Sequence, residues 1–157
     1  MAFEYRVVRR VEFSETDLAG IMHFSNFFRY MEAAEHAFFR SLGCSIHSTV
    51  NGKTVGWPRV HAECEYRRPL CFEDEVEIHL LVRKVRSKAI EYAFVFRKLN
   101  SQPVEVAARG ALTVVCGSHT AGQGGMKAIR IPAGLAGKLK AAPKACFSSD
   151  FTPEEKR

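Results

Sequence analysis

Asp17 is the residue whose type and setting most directly suggest chemistry. It sits in the polar, then small, segment Ser14-Glu-Thr-Asp-Leu-Ala-Gly20, immediately ahead of a helical stretch that opens near Ser25. A helix N-terminus presents unpaired N–H groups and a partial positive charge, so it holds an anion or polarises a carbonyl oxygen that is gaining charge. A carboxylate beside it can act as general base on water or as nucleophile on the activated carbonyl. The competing reading is structural: Thr16 and Asp17 end a strand and form a turn.

Other residues offer parts of a site. His23 reads as a proton donor, a substrate contact or a half-buried polar residue at the helix entry. Phe24, Phe27 and Phe28 suit the wall of an acyl or aryl pocket, as does Trp57, the single tryptophan, beside Pro58. Apolar residues at helical spacing serve equally well as plain core. Arg83, Lys84, Arg86 and Lys88 gather around one turn, with Arg97 and Lys98 at the far end of the next strand. Such a cluster fits a phosphate-rich ligand or a solvated hairpin. No GxSxG, HExxH or Walker glycine loop is present, and Gly122-Gln-Gly-Gly125 lacks the spacing and strand–helix context for dinucleotide binding. Cys116 and His119 have no matching second pair, so no metal is expected.

These residues need elements to position them. Phe3, Tyr5, Val7, Val11 and Phe13 alternate with Glu4, Arg6, Arg10 and Glu12, the period of a strand with one buried face. Phe27, Met31, Ala34, Phe38 and Leu42 have helical spacing, with Ser25 expected as N-cap and Gly43 as C-cap glycine. Phe28, Tyr30, Ala33, Ala37 and Phe39 widen the stripe, which predicts a helix covered on most sides. Asn51-Gly52 signals a turn. Four more alternating stretches follow: Val60 to Tyr66, ended by Pro69; Val76 to Val82; Ile90 to Phe96; and Val104 to Cys116. The plan is α+β, a curved antiparallel sheet of about five strands around one long helix, in the order βαββββ.

Composition sets the frame. The chain has 157 residues, 46% hydrophobic and 25% charged, enough for one domain with a real core. The net charge of +6 is lopsided, −3 over residues 1–77 and +9 over residues 78–157. That asymmetry suggests a polyanionic partner for the second half: nucleic acid, a membrane surface or a phosphorylated cofactor. Five cysteines without a CxxC pair read as reduced, buried thiols. With no signal-like apolar segment at the start and no run approaching ~18 apolar residues, a cytoplasmic protein without membrane insertion is expected.

The segment Val11-Glu-Phe-Ser-Glu-Thr-Asp17-Leu-Ala-Gly20-Ile-Met-His-Phe24-Ser-Asn26-Phe-Phe-Arg-Tyr30 closely resembles the signature of hotdog-fold acyl-CoA thioesterases of the 4-hydroxybenzoyl-CoA thioesterase type. Gly56-Trp-Pro58-Arg-Val60, Arg86-Ser-Lys88 and Lys127-Ala-Ile-Arg-Ile-Pro132 are also similar, in the family's order. The resemblance implies a thioesterase domain over residues 1–135; the Gly-rich and then small, basic composition after Gly117 predicts a partly flexible C-terminal extension, 136–157, frayed after about Ala145. It implies a homodimer joining two sheets edge to edge, often paired again into a homotetramer. Asp17 then matches the catalytic carboxylate, and Phe24 stands where a backbone N–H polarises the thioester carbonyl. Arg86 and Lys88 match contacts to the phosphates of coenzyme A, while Ser87 replaces a basic residue. His23 lies one position before a histidine that many bacterial members carry.

The resulting expectation is hydrolysis of an acyl-CoA thioester, with coenzyme A entering as part of the substrate and no further cofactor. A non-catalytic acyl-CoA-binding module and a thioesterase for carrier-protein substrates are the alternatives. A hotdog dehydratase is disfavoured because His23-Phe24 is followed by Ser-Asn and not Pro-Gly. Nucleic acid is disfavoured because Tyr92, Phe94 and Phe96 alternate as a buried face should.

Overall fold

The computed structural model describes residues 1–151. Its elements run β1 (Glu4–Arg10), α1 (Ser25–Ser41), β2 (Ser48–Val50), β3 (Lys53–Gly56), β4 (Arg59–Tyr66), β5 (Glu75–Val85), β6 (Ala89–Lys98), β7 (Glu105–Val115), β8 (Gly117–His119), β9 (Lys127–Ala128) and α2 (Ala133–Ala136). β1, β5, β6, β7 and β4, in that spatial order, form an antiparallel sheet whose inner face carries α1. This is the strand–helix–four-strand plan expected from the periodicity.

The remaining strands form a second sheet, β2-β3-β8-β9, so about five strands describes the main sheet alone. Asn51 (φ 50°) and Gly52 (φ 74°) make the two-residue turn between β2 and β3, which is the hairpin geometry Asn-Gly favours. The flanking strands are too short, and too poor in apolar residues, to show a period.

Local chemistry sets most element ends. Gly43 donates its N–H to the Arg40 carbonyl and Cys44 donates to Phe39, the paired bonds of a Schellman motif, so α1 stops where its glycine predicts. Its start differs from expectation. Ser25 is the first helical residue and Phe24 occupies the N-cap position without a capping side chain. The first strand also ends sooner, at Arg10. Phe13, expected on its buried face, is 76% exposed, because residues 13–15 form a single 3-10 turn with Glu12 N–H donating to Glu15 Oε2 at 2.9 Å.

Tyr30, Met31, Ala34 and Phe38 of α1 are fully buried against the inner-facing Ile78, Leu80, Tyr92, Phe94 and Phe96. Each of the large aliphatic and phenylalanine side chains contributes roughly 1.5–3 kcal/mol by leaving water, Ala34 less. At Gly110 of β7 a Cβ would run into the thioether end of Met31. A side chain at position 110 would therefore displace the methionine. Glu35, also on α1, is fully buried; Arg59 of β4 hydrogen-bonds to its Oε2, while its Oε1 and the neighbouring Tyr92 hydroxyl have no partner among the described residues.

β4 is the edge of the main sheet, and its pattern explains a second departure. Val60, Ala62 and Tyr66, which alternate as a buried face would, are exposed in the single chain, with Val60 displaced by a bulge between Arg59 and His61. On the outer face, His79, Leu81, Ala93 and Val95 are buried outside the helix-facing core. The chain beyond α2 crosses here: Phe151 packs edge-on to His79 at 5.2 Å, Asp150 pairs with Arg97 at 2.9 Å, and Arg109 Nε donates to the Asp150 carbonyl. Within the stretch after Ala145, where a frayed end is expected from sequence, Ser149 to Phe151 thus rest on the sheet and Phe147 packs on Phe151; residues 152–157 lie outside the described part. Phe151→Ala is expected to lower stability by about 1–2 kcal/mol and to raise binding of a hydrophobic dye, measured by denaturant titration and fluorescence. No helix among the described residues is long and apolar enough to cross a membrane.

Candidate active site

Residues 16–22 form a small flap. Thr16 bridges Met22, Ile21 bridges Cys71, and Met22 N–H donates to the Leu70 carbonyl, so the flap is tied both to itself and to the chain after β4. At its tip Asp17 accepts the Gly20 N–H at 3.0 Å, and Gly20 has φ +77°, the left-handed conformation that a glycine adopts without cost. Asp17 Oδ1 accepts the Ala19 N–H at 2.8 Å. Oδ2 has no partner among the described residues, and the side chain is exposed.

Phe24 follows, at the head of α1. Its N–H finds no acceptor among the described residues, and no acidic residue occupies the first turn of the helix. The positive end of the α1 dipole is therefore open at this point. Tyr66, the last residue of β4, donates its hydroxyl to the Phe24 carbonyl at 3.0 Å. Phe27 packs edge-on between Tyr66 (5.0 Å) and Phe96 (5.2 Å). Together these groups border a mostly apolar cleft of about 360 Å³, with Asp17, Phe24, Phe27, Tyr66, Arg68 and Leu70 among its walls.

Three of the residues singled out from sequence thus meet: Asp17, Phe24 and Phe27. His23 does not line the cleft. Its Nδ1 accepts the Ser25 N–H (3.3 Å) and contacts Ser25 Oγ (2.7 Å), and since an N–H only donates, this ring nitrogen is the acceptor. The imidazole caps the helix start in place of the serine. Trp57 is buried against Phe39, ring centroids 5.4 Å apart, away from the cleft. Arg86 and Lys88 lie in the β5–β6 turn, both exposed, Arg86 pairing with Glu91 at 2.7 Å.

The register shows how far away that turn is. Tyr66 pairs with Ala108, Ala108 with Phe96 and Phe96 with Ile78, so the cleft belongs to one end of the sheet. Val85 pairs with Ile90, Ile90 with Val114 and Val114 with Arg59 at the other end. Six residues of strand separate Phe96 from Ile90, about 20 Å.

Sequence reasoning missed Tyr66, Arg67, Arg68 and Leu70 as cleft residues. The available signal is an Arg-Arg pair between a strand-ending tyrosine and Pro69, a pattern that by local chemistry also reads simply as a strand stop. Arg67 and Arg68 also border a neighbouring polar depression of about 400 Å³ that reaches Arg109 and Asp150. Chemically, the cleft is bordered by a residue with an open carboxylate, Asp17, and one with an unpaired N–H, Phe24, beside apolar walls. That arrangement suits attack on a carbonyl whose oxygen must gain charge.

Residues 11–139 match the family model of the thioesterase-like superfamily. The chain belongs to the thioesterase-like superfamily. Membership places it among thioester hydrolases, as its motif implied. A 1,4-dihydroxy-2-naphthoyl-CoA hydrolase of Gloeothece citriformis (strain PCC 7424) is 30% identical over 116 residues, spanning 74% of this chain and 78% of that protein. Among solved structures, a gentisyl-coenzyme A thioesterase superposes with TM-score 0.69 at 26% identity, covering 84% of this chain and all but 1% of its own (99%). The 4-hydroxybenzoyl-CoA thioesterase of Pseudomonas sp. strain CBS-3 superposes with TM-score 0.73 at 19% identity, covering 88% and 100%, and at that identity it shows the shared fold.

Proposed function

We propose that this thioesterase-superfamily chain hydrolyses an aromatic acyl-CoA thioester. The observation that carries the reading is the pairing of an open Asp17 carboxylate with the unpartnered Phe24 N–H in one ring-lined cleft. The thioester carbonyl oxygen takes the Phe24 N–H and the field of α1, which stabilise the oxyanion. Asp17 attacks the carbonyl carbon, or draws a proton from a water that does. On the first route the C–S bond breaks, coenzyme A leaves as thiolate and water then cleaves the mixed anhydride; on the second, acid and thiol form in one cycle. His23 serves the site by capping the helix start. Phe24, Phe27 and Tyr66 favour a flat acyl group, in keeping with the aromatic substrates in the names of the relatives. The test is thiol release on a panel of aroyl-, short-chain and long-chain acyl-CoAs and one acyl-carrier-protein thioester. Fastest turnover on aroyl-CoA is expected; absence of turnover on every thioester would leave a binding module instead.

The same reading requires two copies of the chain. β4 presents an unpaired edge with exposed Val60, Ala62 and Tyr66, a surface that another strand covers. Antiparallel pairing of β4 with its copy sets the cleft end of one sheet beside the far end of the other. The partner's Arg86 and the partner's Lys88 then stand at the same end as this cleft, about 14 Å from β4 across three strand spacings, within the length of an extended coenzyme A whose acyl end lies in the cleft. Arg86→Ala combined with Lys88→Ala is expected to raise KM for acyl-CoA about tenfold and flatten its salt dependence, with kcat little changed. A collapse of kcat at constant KM would remove the phosphate role.

A further inference from the structure

We infer that Glu15, Asn26 and Tyr30 form a clamp that positions the Asp17 flap against the helix N-terminus. The inference rests on the reading that Asp17 and the Phe24 N–H do the chemistry. Those two groups belong to different elements, a flap tip and a helix head, and their relative placement must be held closely for attack on one carbonyl. Covalent connection alone leaves residues 18–23 free to adjust that placement.

Glu15 closes this freedom twice. Its backbone carbonyl accepts both the His23 N–H (2.8 Å) and Asn26 Nδ2 (2.8 Å), so one oxygen anchors the residue before the Phe24 N-cap and a side chain in the first turn of the helix. Asn26 N–H donates to the His23 carbonyl at 2.9 Å, completing a ring of bonds around Phe24. The Glu15 carboxylate is fastened separately: Oε2 accepts the Tyr30 hydroxyl at 2.5 Å and the Glu12 N–H at 2.9 Å. Arg9 of β1 lies 3.7 Å from Oε1, with its guanidinium stacked 4.5 Å over the Tyr30 ring. Tyr30 is fully buried and Asn26 nearly so (8% exposed), so neither holds its place for lack of alternatives in water. Burial first, and then the bond to Glu15, push the Tyr30 hydroxyl well above its usual range, which keeps it a donor.

A buried donor–acceptor set of this kind costs desolvation, and a plain apolar contact would hold the core as well. What the polar set adds is direction. It fixes the flap, two residues from Asp17, relative to the N–H of Phe24. None of the three touches the cleft, so they are positioning residues.

The test compares kcat and KM for an aroyl-CoA in Tyr30→Phe, Asn26→Ala, Glu15→Ala and Glu15→Gln, each checked for native circular dichroism. Tyr30→Phe removes only a hydroxyl and keeps the fold measurable whatever the others do. Loss of roughly tenfold in kcat at nearly constant KM is expected for Tyr30→Phe, Asn26→Ala and Glu15→Ala. Glu15→Gln, whose amide oxygen still accepts from Tyr30, is expected to recover most of the rate. Wild-type kcat in folded Tyr30→Phe and Asn26→Ala, or a rise in KM at constant kcat, would overturn the clamp. A folded Asp17→Asn enzyme at normal turnover would instead overturn the reading beneath it, so the two failures are distinct.

Discussion

Replacing Asp17 by Asn is expected to lower kcat on the preferred acyl-CoA by two or more orders of magnitude, about 3 kcal/mol of transition-state stabilisation, while the protein stays folded. Both halves of that expectation follow from the site. The side chain is exposed and its one bond within the flap is Oδ1 accepting from Ala19, which an asparagine oxygen reproduces. What an amide cannot reproduce is a carboxylate that attacks a carbonyl or takes a proton from water. The Phe24 N–H and the helix field remain, so residual turnover above the uncatalysed rate should persist, with KM close to wild type. Rapid-quench or thiol-release kinetics on wild type and variant decide the matter. Near-normal turnover by the variant would exclude Asp17 from the reaction.

The second large effect concerns stability and pH. Burial of Glu35 pushes its carboxyl up to about 7 from 4.5, and Glu32 adds to the rise, although Arg59 opposes it. The groups acting on it are Arg59, Glu32 and the unpartnered Tyr92 hydroxyl, whose own ionisation burial holds well above its usual range, while His36 pairs with Glu32. Between pH 4.5 and 7 the folded protein keeps the Glu35 proton while the unfolded chain has released it. Stability from this group is therefore complete below about 4.5 and lost as pH rises through 7, on the order of 3 kcal/mol. His36 and His79, both lowered chiefly by burial, titrate in the opposite sense, so the informative quantity is a difference. Denaturant titrations of wild type and Glu35→Gln at pH 5 and pH 8 should show the variant gaining relative to wild type by that amount at the higher pH. Parallel pH profiles for the two proteins would mean Glu35 stays ionised in its bond to Arg59.

Much of the architecture was legible residue by residue. The period of two in β1, β5 and β6 and the widened apolar stripe of α1 named the elements, and Gly43 marked the helix end. The short strands β2, β3, β8 and β9 were not, since two to four residues carry no period. β4 misled for another reason: its alternation is real, yet at a sheet edge the face is completed by whatever pairs with the edge. At the site, the turn chemistry ahead of the helix pointed to Asp17, while the N–H role of Phe24 came only with the resemblance to the thioesterase signature. His23 and Trp57 had the right types for a pocket, but one was taken up as a helix cap and the other as core against Phe39.

By itself, then, the sequence determined the local elements and the motif that brings a carboxylate to a helix N-terminus, because both depend on residues within one or two turns of each other. The tertiary structure decided which distant segments complete the cleft. Tyr66 and Leu70 reach Phe24 and Met22 because β4 pairs with β7 and the chain after it bridges back to the flap. It also decided that Arg86 and Lys88 stand at the opposite end of the sheet. A side chain's face follows from the two-residue period, but a strand's neighbour follows from pairing across the whole chain, and no local pattern encodes that choice.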